Sequence, residues 1–213
     1  MHMLKERVHT ASVDLLLTDP PYGMSFQSGA RKEKYNLIQG DDSLEWLPDW
    51  LREVRRVMKP TGHLYIFCSW HKIDVFKQAI EKHWPIKNIL VWNKKGGGMG
   101  DLAGGYGGCH EFILFVNLGK DLHGRRDTDV IDGAYRTGNE FHPTQKPVNL
   151  MAYLIEKSSS AGDLVLDCFA GSAPVALACV ETGRRFIGSE ISLEYFIGAI
   201  ERIDGAKAQG RLF

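Results

Sequence analysis

Little in this sequence marks a secreted, membrane-spanning or metal-stapled protein. Only four of 213 residues are cysteine (Cys68, Cys109, Cys168 and Cys179), and no two stand at the Cys-x-x-Cys spacing. Three of them sit inside apolar runs, so they read as buried free thiols in a reducing compartment rather than as disulfides. Cys109-His110 has no second pair at zinc-finger spacing, and no metal site is expected. A continuous run of about 18 apolar residues is missing, and Met1-His2-Met3-Leu4-Lys5 lacks the pattern of a signal peptide. The expectation is a soluble, cytoplasmic protein without membrane contact. There is also no excess charge of either sign, since 26 Lys+Arg meet 26 Asp+Glu. Attraction of the whole molecule to nucleic acid is therefore excluded, and any such binding must rest on local patches with a modest salt dependence. What remains is an ordinary globular composition, 44% hydrophobic and 24% charged, at a length suited to one domain.

Apolar patterning predicts alternating strands and helices. Residues 12–18 form a short continuous apolar run ended by Asp19-Pro20-Pro21, a strand buried on both faces. Leu44, Leu47, Leu51, Val54 and Met58 recur at three and four residues, a helix over 43–58 closed by a turn at Lys59-Pro60-Thr61-Gly62. A strand at 63–68, a helix at 72–83 and strands at 86–92 and 111–116 follow. Between the last two, residues 94–108 hold eight glycines in fifteen positions, a composition suited to a mobile loop. Residues 118–141 are polar and mixed in charge. Pro147 opens a helix with Leu150, Tyr153 and Leu154 on one face. A strand at 163–167, a helix at 173–182, a strand at 185–189 and a helix at 193–204 complete the pattern, with residues 205–213 expected to be loosely held. This is the signature of a mostly parallel sheet with helices on both faces.

In such sheets ligands bind at the carboxyl ends of the strands. Three features fall there: Thr18-Asp19-Pro20-Pro21-Tyr22-Gly23, Asp167-Cys168-Phe169-Ala170-Gly171-Ser172, and Glu190. Gly171 allows close approach of a ligand, and a carboxylate 19 residues later (190 minus 171) suits vicinal ribose hydroxyls. The dinucleotide fingerprint Gly-x-Gly-x-x-Gly and the Gly-Lys-Ser/Thr phosphate loop are both absent. A nucleoside without pyrophosphate remains, of which S-adenosylmethionine is the commonest. Asp19-Pro20-Pro21-Tyr22 suits an exocyclic amine: the Asp19 carboxylate and Pro20 carbonyl can accept its two hydrogens and expose the nitrogen lone pair. The two prolines hold those acceptors rigid, and Tyr22 offers a face for stacking on an extruded base.

At these residues the chain resembles the amino-group DNA methyltransferases, in the permuted (beta-class) order that puts the catalytic motif before the cofactor motif. The likeness extends through Lys59-Pro60-Thr61-Gly62-His63, Val91-Trp92-Asn93-Lys94, His142-Pro143-Thr144-Gln145-Lys146-Pro147 and Phe186-Ile187-Gly188-Ser189-Glu190 with Tyr195, Ala199 and Arg202. The resemblance implies a single Rossmann-like S-adenosylmethionine-dependent methyltransferase domain over 1–213, acting on double-stranded DNA by base flipping. It implies that Asp19, Pro20, Pro21 and Tyr22 are catalytic. Asp167, Phe169, Ala170, Gly171, Ser172 and Glu190 would bind the cofactor, with Thr144 and Lys146 near its methionine end. An initial Asp is typical of adenine N6 enzymes in this family and Ser of cytosine N4 enzymes, so Asp19 points to adenine. Region 118–141 would be a short target-recognition segment, which makes a homodimer plausible. Arg31, Lys32 and Lys34, after the catalytic loop, and Arg125 and Arg126 are candidate phosphate contacts.

Two departures from the family pattern bear on the cofactor. The usual Gly-Ser-Gly-Thr is Gly171-Ser172-Ala173-Pro174 here, which is expected to weaken binding. Relatives generally carry a strand ending in Gly-Asp about twenty residues before the catalytic motif, whereas 18 residues precede Asp19. Either the start is truncated or another group seats the adenine. Alternatives stay open: a cytosine N4 enzyme of the same fold, an RNA or protein-amide methylase, or a catalytically impaired DNA- or cofactor-binding relative. Plain structural uses also stand beside the sharp ones. Asp-Pro-Pro makes turns, Glu190 can cap a helix near Ser192, Phe169 can be core, and Lys146 can be a solvated lysine.

Overall fold

The computed structural model describes residues 2–24, 43–95, 103–132 and 145–210. Arg31, Lys32, Lys34, Thr144, the heart of the glycine-rich segment and the end of region 118–141 lie outside the described residues.

The chain opens with helix α1 (His2–Arg7), then strand β1 (Val13–Thr18), helix α2 (Leu47–Val57), strand β2 (Met58–Cys68) and helix α3 (Ile73–Glu81). Strands β3 (Asn88–Asn93), β4 (His110–Asn117) and β5 (Val130–Asp132) precede helix α4 (Val148–Ser158). Strand β6 (Leu164–Asp167), helix α5 (Pro174–Thr182), strand β7 (Arg185–Gly188) and helix α6 (Leu193–Gly210) end it. The strands form one seven-stranded sheet in the order β5-β3-β4-β2-β1-β6-β7. Only the pairings made by β4, with β2 and with β3, are antiparallel. The expected mostly parallel sheet is present.

Both faces of the sheet are covered. Leu16, Leu64, Ile66, Cys68, Leu114 and Val116 pack with Leu4 and Val8 around α1, with Leu47, Trp50, Leu51, Val54 and Val57 of α2, and with Phe76 and Ile80 of α3. On the other face Leu15, Leu17, Tyr65, Phe67, Ile113 and Phe115 meet Leu150, Met151, Leu154 and Ile155 of α4 and Val175 and Ala178 of α5. The two faces divide β2 by alternate residues, as a pleated strand must. Such double burial is why β1 reads as an unbroken apolar run. Cys68, Cys168 and Cys179 are buried free thiols, and burial pushes each up to about 12.

Several details differ from the sequence reading. Lys59–Gly62 is no turn between helix and strand but a bulge inside β2: Val13 pairs with Met58 and Leu15 with His63, so two steps on β1 face five on β2. Gly62 is required there, because a Cβ would lie 2.8 Å from the Asp14 carbonyl oxygen. Asp14 ties β1 to both neighbours, accepting from Lys59 Nζ at 2.6 Å and from the Leu164 N–H at 3.0 Å. Pro147 is the N-cap of α4 rather than its first residue. Helix α6 runs to Gly210, through most of the tail expected to be loose.

Candidate active site

Strand order fixes where a site can be. The chain moves from β1 to β2 on one side and returns with β6 on the other, so the sheet's switch point lies between β1 and β6. Parallel pairing of β1 with β6 and of β6 with β7 brings Thr18, Asp167 and Gly188 to the same end. Three loops expected to converge therefore do so.

Asp19 follows β1 directly. Its Oδ1 accepts a hydrogen bond from the Tyr22 hydroxyl at 2.5 Å, and its Oδ2 lies 2.5 Å from Lys146 Nζ. The Tyr22 ring is half-buried and perpendicular to Phe76 of α3, centroids 6.3 Å apart. Burial, then the charges of Asp19 and Glu111, hold the Tyr22 hydroxyl well above the ordinary tyrosine range, so it remains a donor. Pro20 is buried and Pro21 half-buried, fixing the loop against the core.

Lys146 is not a solvated lysine. Its side chain is 7% exposed and lies between two carboxylates, Asp19 and Glu111, the latter at 3.1 Å. The Phe67 ring covers it, 5.1 Å from Nζ to the centroid. Burial alone would drive off its proton, but the two carboxylates outweigh that and raise its pKa. Glu111 also pairs with Lys94, and these two cations hold its carboxyl below the usual range against the opposing effect of burial.

The second loop is built around Asp167, 2% exposed. Its Oδ1 accepts from Thr18 Oγ1 at 2.7 Å and from the Phe169 N–H at 3.0 Å. Burial without a cation pushes its carboxyl up to about 7. Ala170 is buried and donates its N–H to the Ser189 carbonyl. Gly171 adopts φ 52 and donates its N–H to Glu190 Oε2 at 2.8 Å, while Glu190 Oε1 accepts from the Ser192 N–H at 2.8 Å. Glu190 thus does cap the chain near Ser192, and it also fastens the glycine loop. Ala173, where the family has glycine, is held at φ 61 and ψ 40, a left-handed conformation that costs a side chain roughly 1–2 kcal/mol. Pro174 begins α5, where its missing N–H is no loss to the helix.

Sequence reasoning missed four residues. Trp46 and Trp50 pack on Phe169 with ring centroids 5.2 and 5.6 Å away, so the half-buried Phe169 belongs to an aromatic trio beside the second loop. Trp46 is the N-cap of α2 and Trp50 lies within the helix, a spacing of four that the sequence shows beside the aliphatic stripe. Glu111 was not signalled by any motif, and Lys94, which closes the Val91-Trp92-Asn93-Lys94 match, carried no assigned role there. In contrast, Arg125 and Arg126 are not brought to this end. Lys157, near the carboxyl end of α4, bonds the carbonyls of His123 and Arg125, and α4 carries that contact about 16 Å from Lys146.

Comparison with known proteins gives the family. The DNA methylase family N6_N4_Mtase matches residues 13–135 and 124–201. This chain belongs to that family. Among curated relatives, the DNA adenine methyltransferase YhdJ of Escherichia coli strain K12 is 30% identical over 94% of this chain and 79% of its own length. The type II methyltransferase M.HpaI of Haemophilus parainfluenzae is 30% identical over 91% of this chain and 68% of its own. Among solved structures, the M1.HpyAVI–SAM complex matches with a TM-score of 0.73 at 25% identity, covering 95% of this chain and 93% of that one. The cytosine-N4-specific PvuII DNA methyltransferase matches with a TM-score of 0.72 at 15% identity over 97% and 88%, a likeness of fold alone. S-adenosylmethionine is the family's methyl donor. The residues present fit it: Glu190 keeps lone pairs beyond its two backbone bonds, Gly171 admits close approach, and Ser172 Oγ is buried with no hydrogen-bond partner among the described residues.

Proposed function

We propose that this methylase transfers a methyl group to the N6 amine of adenine in DNA, on a base turned out of the duplex. The observation that carries the choice of adenine is the Asp19 carboxylate at the end of β1, anchored on both oxygens and followed by two immobilised prolines. The sulfonium of bound S-adenosylmethionine supplies an electrophilic methyl. Asp19 and the Pro20 carbonyl accept the two amine hydrogens, which draws the nitrogen lone pair out of conjugation with the ring. Tyr22 both donates to Asp19 and offers its ring to the extruded base. Glu190 would take the ribose hydroxyls of the cofactor and Phe169 with Trp46 would border its adenine, while Asp167 shapes the loop that carries Phe169. Support for adenine over cytosine comes from Asp19 and from the adenine-named relative YhdJ. The fold does not discriminate, since a cytosine enzyme shares it.

DNA contact is assigned to Arg31, Lys32 and Lys34 by their place after the catalytic loop, and base readout to region 118–141. Arg125 and Arg126, within that region but near the far end of α4, would meet phosphates only away from the catalytic loop. A homodimer would double so short a recognition surface, and sedimentation with and without DNA tests it.

Asp19→Ala should abolish methyl transfer to DNA and leave S-adenosylmethionine affinity within about twofold by calorimetry, because the carboxylate faces the amine. Equal loss of both would assign Asp19 to the cofactor instead. A wild-type chain that binds no S-adenosylmethionine would favour the impaired relative.

A further inference from the structure

We infer that Glu111 is a positioning residue for methyl transfer, dividing the buried ammonium of Lys146 so that Asp19 keeps acceptor capacity for the substrate amine. The inference rests on the role proposed above for Asp19. Glu111 lies one residue inside β4, paired across the sheet with Trp92. Because β4 is the antiparallel strand, its amino end reaches the carboxyl end of the parallel ones, beside the catalytic loop. Three of the four charged groups there are largely buried, and they form a chain: Lys94 to Glu111, Glu111 to Lys146 at 3.1 Å, Lys146 to Asp19 at 2.5 Å. Two positive and two negative charges cancel.

An ammonium has three donors and accepts no hydrogen bond, so it can be shared among several carboxylate oxygens. With Phe67 closing one side of Lys146, its donors can reach Asp19 and Glu111. Removing the charge of Glu111 leaves Asp19 as the sole anion facing a full positive charge in a poorly solvated space, where such an attraction is strong. Asp19 would then turn toward Lys146 and hold the amine less well. The carboxylate that must accept from substrate is thus kept in place by a residue that never touches substrate. Lys94 adds a second layer. Its N–H bonds the Cys109 carbonyl at 2.7 Å, closing the base of the glycine-rich segment, and its ammonium anchors the other oxygen of Glu111. Neither Lys146 nor Glu111 is adjustable alone.

The test is steady-state kinetics on DNA for Glu111→Gln, Glu111→Asp and Lys94→Met beside wild type and Asp19→Ala. Glu111→Gln should lower kcat roughly 10- to 100-fold, the scale of an ångström's misplacement, with KM for S-adenosylmethionine and for DNA within about twofold. Glu111→Asp, which restores the charge, should recover part of that loss, and Lys94→Met should cost less than Glu111→Gln. If Glu111→Gln does not fold, as judged by its thermal transition, Glu111→Asp decides alone: its shortened carboxylate should lower kcat below wild type with both KM values within about twofold. Unchanged kcat in the folded Glu111 variants, or a loss confined to KM for S-adenosylmethionine, overturns the inference. Turnover surviving in Asp19→Ala would overturn the proposed function instead, and the two failures are distinct.

Discussion

Two lysines bracket helix α4, and they spend the same chemistry differently. Lys146, just before the helix, is buried between Asp19 and Glu111 at the carboxyl end of the sheet. Lys157, near the helix's other end, pairs with Asp127 at 2.7 Å and bonds two loop carbonyls, but Asp127 is 41% exposed. The outer cluster pins a loop and is screened by water. At the inner one, water is largely excluded, every charge depends on its partners, and the carboxylate at its end is the one proposed to meet the substrate amine. Burial, more than the number of ion pairs, separates the two clusters.

The largest expected effect is at the inner cluster. Lys146→Met should destabilise the protein by about 3–5 kcal/mol in chemical denaturation, because two poorly solvated carboxylates are left facing each other; a loss under about 1 kcal/mol would mean that water reaches the cluster. Asp167 sharpens the comparison as a buried carboxylate with hydroxyl and amide partners but no cation. Its folded pKa of about 7 lies above the ordinary value near 4. The folded state therefore binds the proton more tightly, and stability associated with Asp167 is present below pH 4 and lost as pH rises through 7. Asp167→Asn should raise stability at pH 8 by roughly 2–3 kcal/mol and change little at pH 4. Equal effects at both pH values would disprove the burial of its charge. Gly62→Ala should cost about 2 kcal/mol, since the obstacle is the backbone oxygen of Asp14 and cannot swing aside. Smallest is Lys157→Met, expected at about 1 kcal/mol or less; a cost matching Lys146→Met would erase the distinction between the clusters.

Legibility in the sequence followed the same divide between local and assembled features. β1 and β6 were readable because double burial leaves a continuous apolar run, and α2 because its core face repeats at helical spacing. α1 has six residues and β5 three, the latter with Asp129 before it and Asp132 at its end, too short for any period to show. The last turns of α6 contain Gly205, Ala206, Lys207 and Ala208, which allow helix without offering a stripe. Among the residues that the structure gathers at this end of the sheet, those within motifs were legible: Asp19 and Tyr22 in one loop, Asp167 through Ser172 in another, and Glu190. Glu111 was invisible because Lys146 stands 35 residues after it and Asp19, on the other side of that ammonium, 92 before it (146 minus 111, 111 minus 19), and only the antiparallel course of β4 brings them together. The same holds for the contact of Trp46 and Trp50 with Phe169, which needed two loops folded over one sheet end.

The most direct test of the account is the identity of the methylated nucleoside. After incubation with S-adenosylmethionine and unmethylated duplex DNA containing all four bases, the DNA is digested and its nucleosides are separated by mass. The account predicts N6-methyladenine from the wild-type chain and none from Asp19→Ala. N4-methylcytosine as the sole product would contradict it.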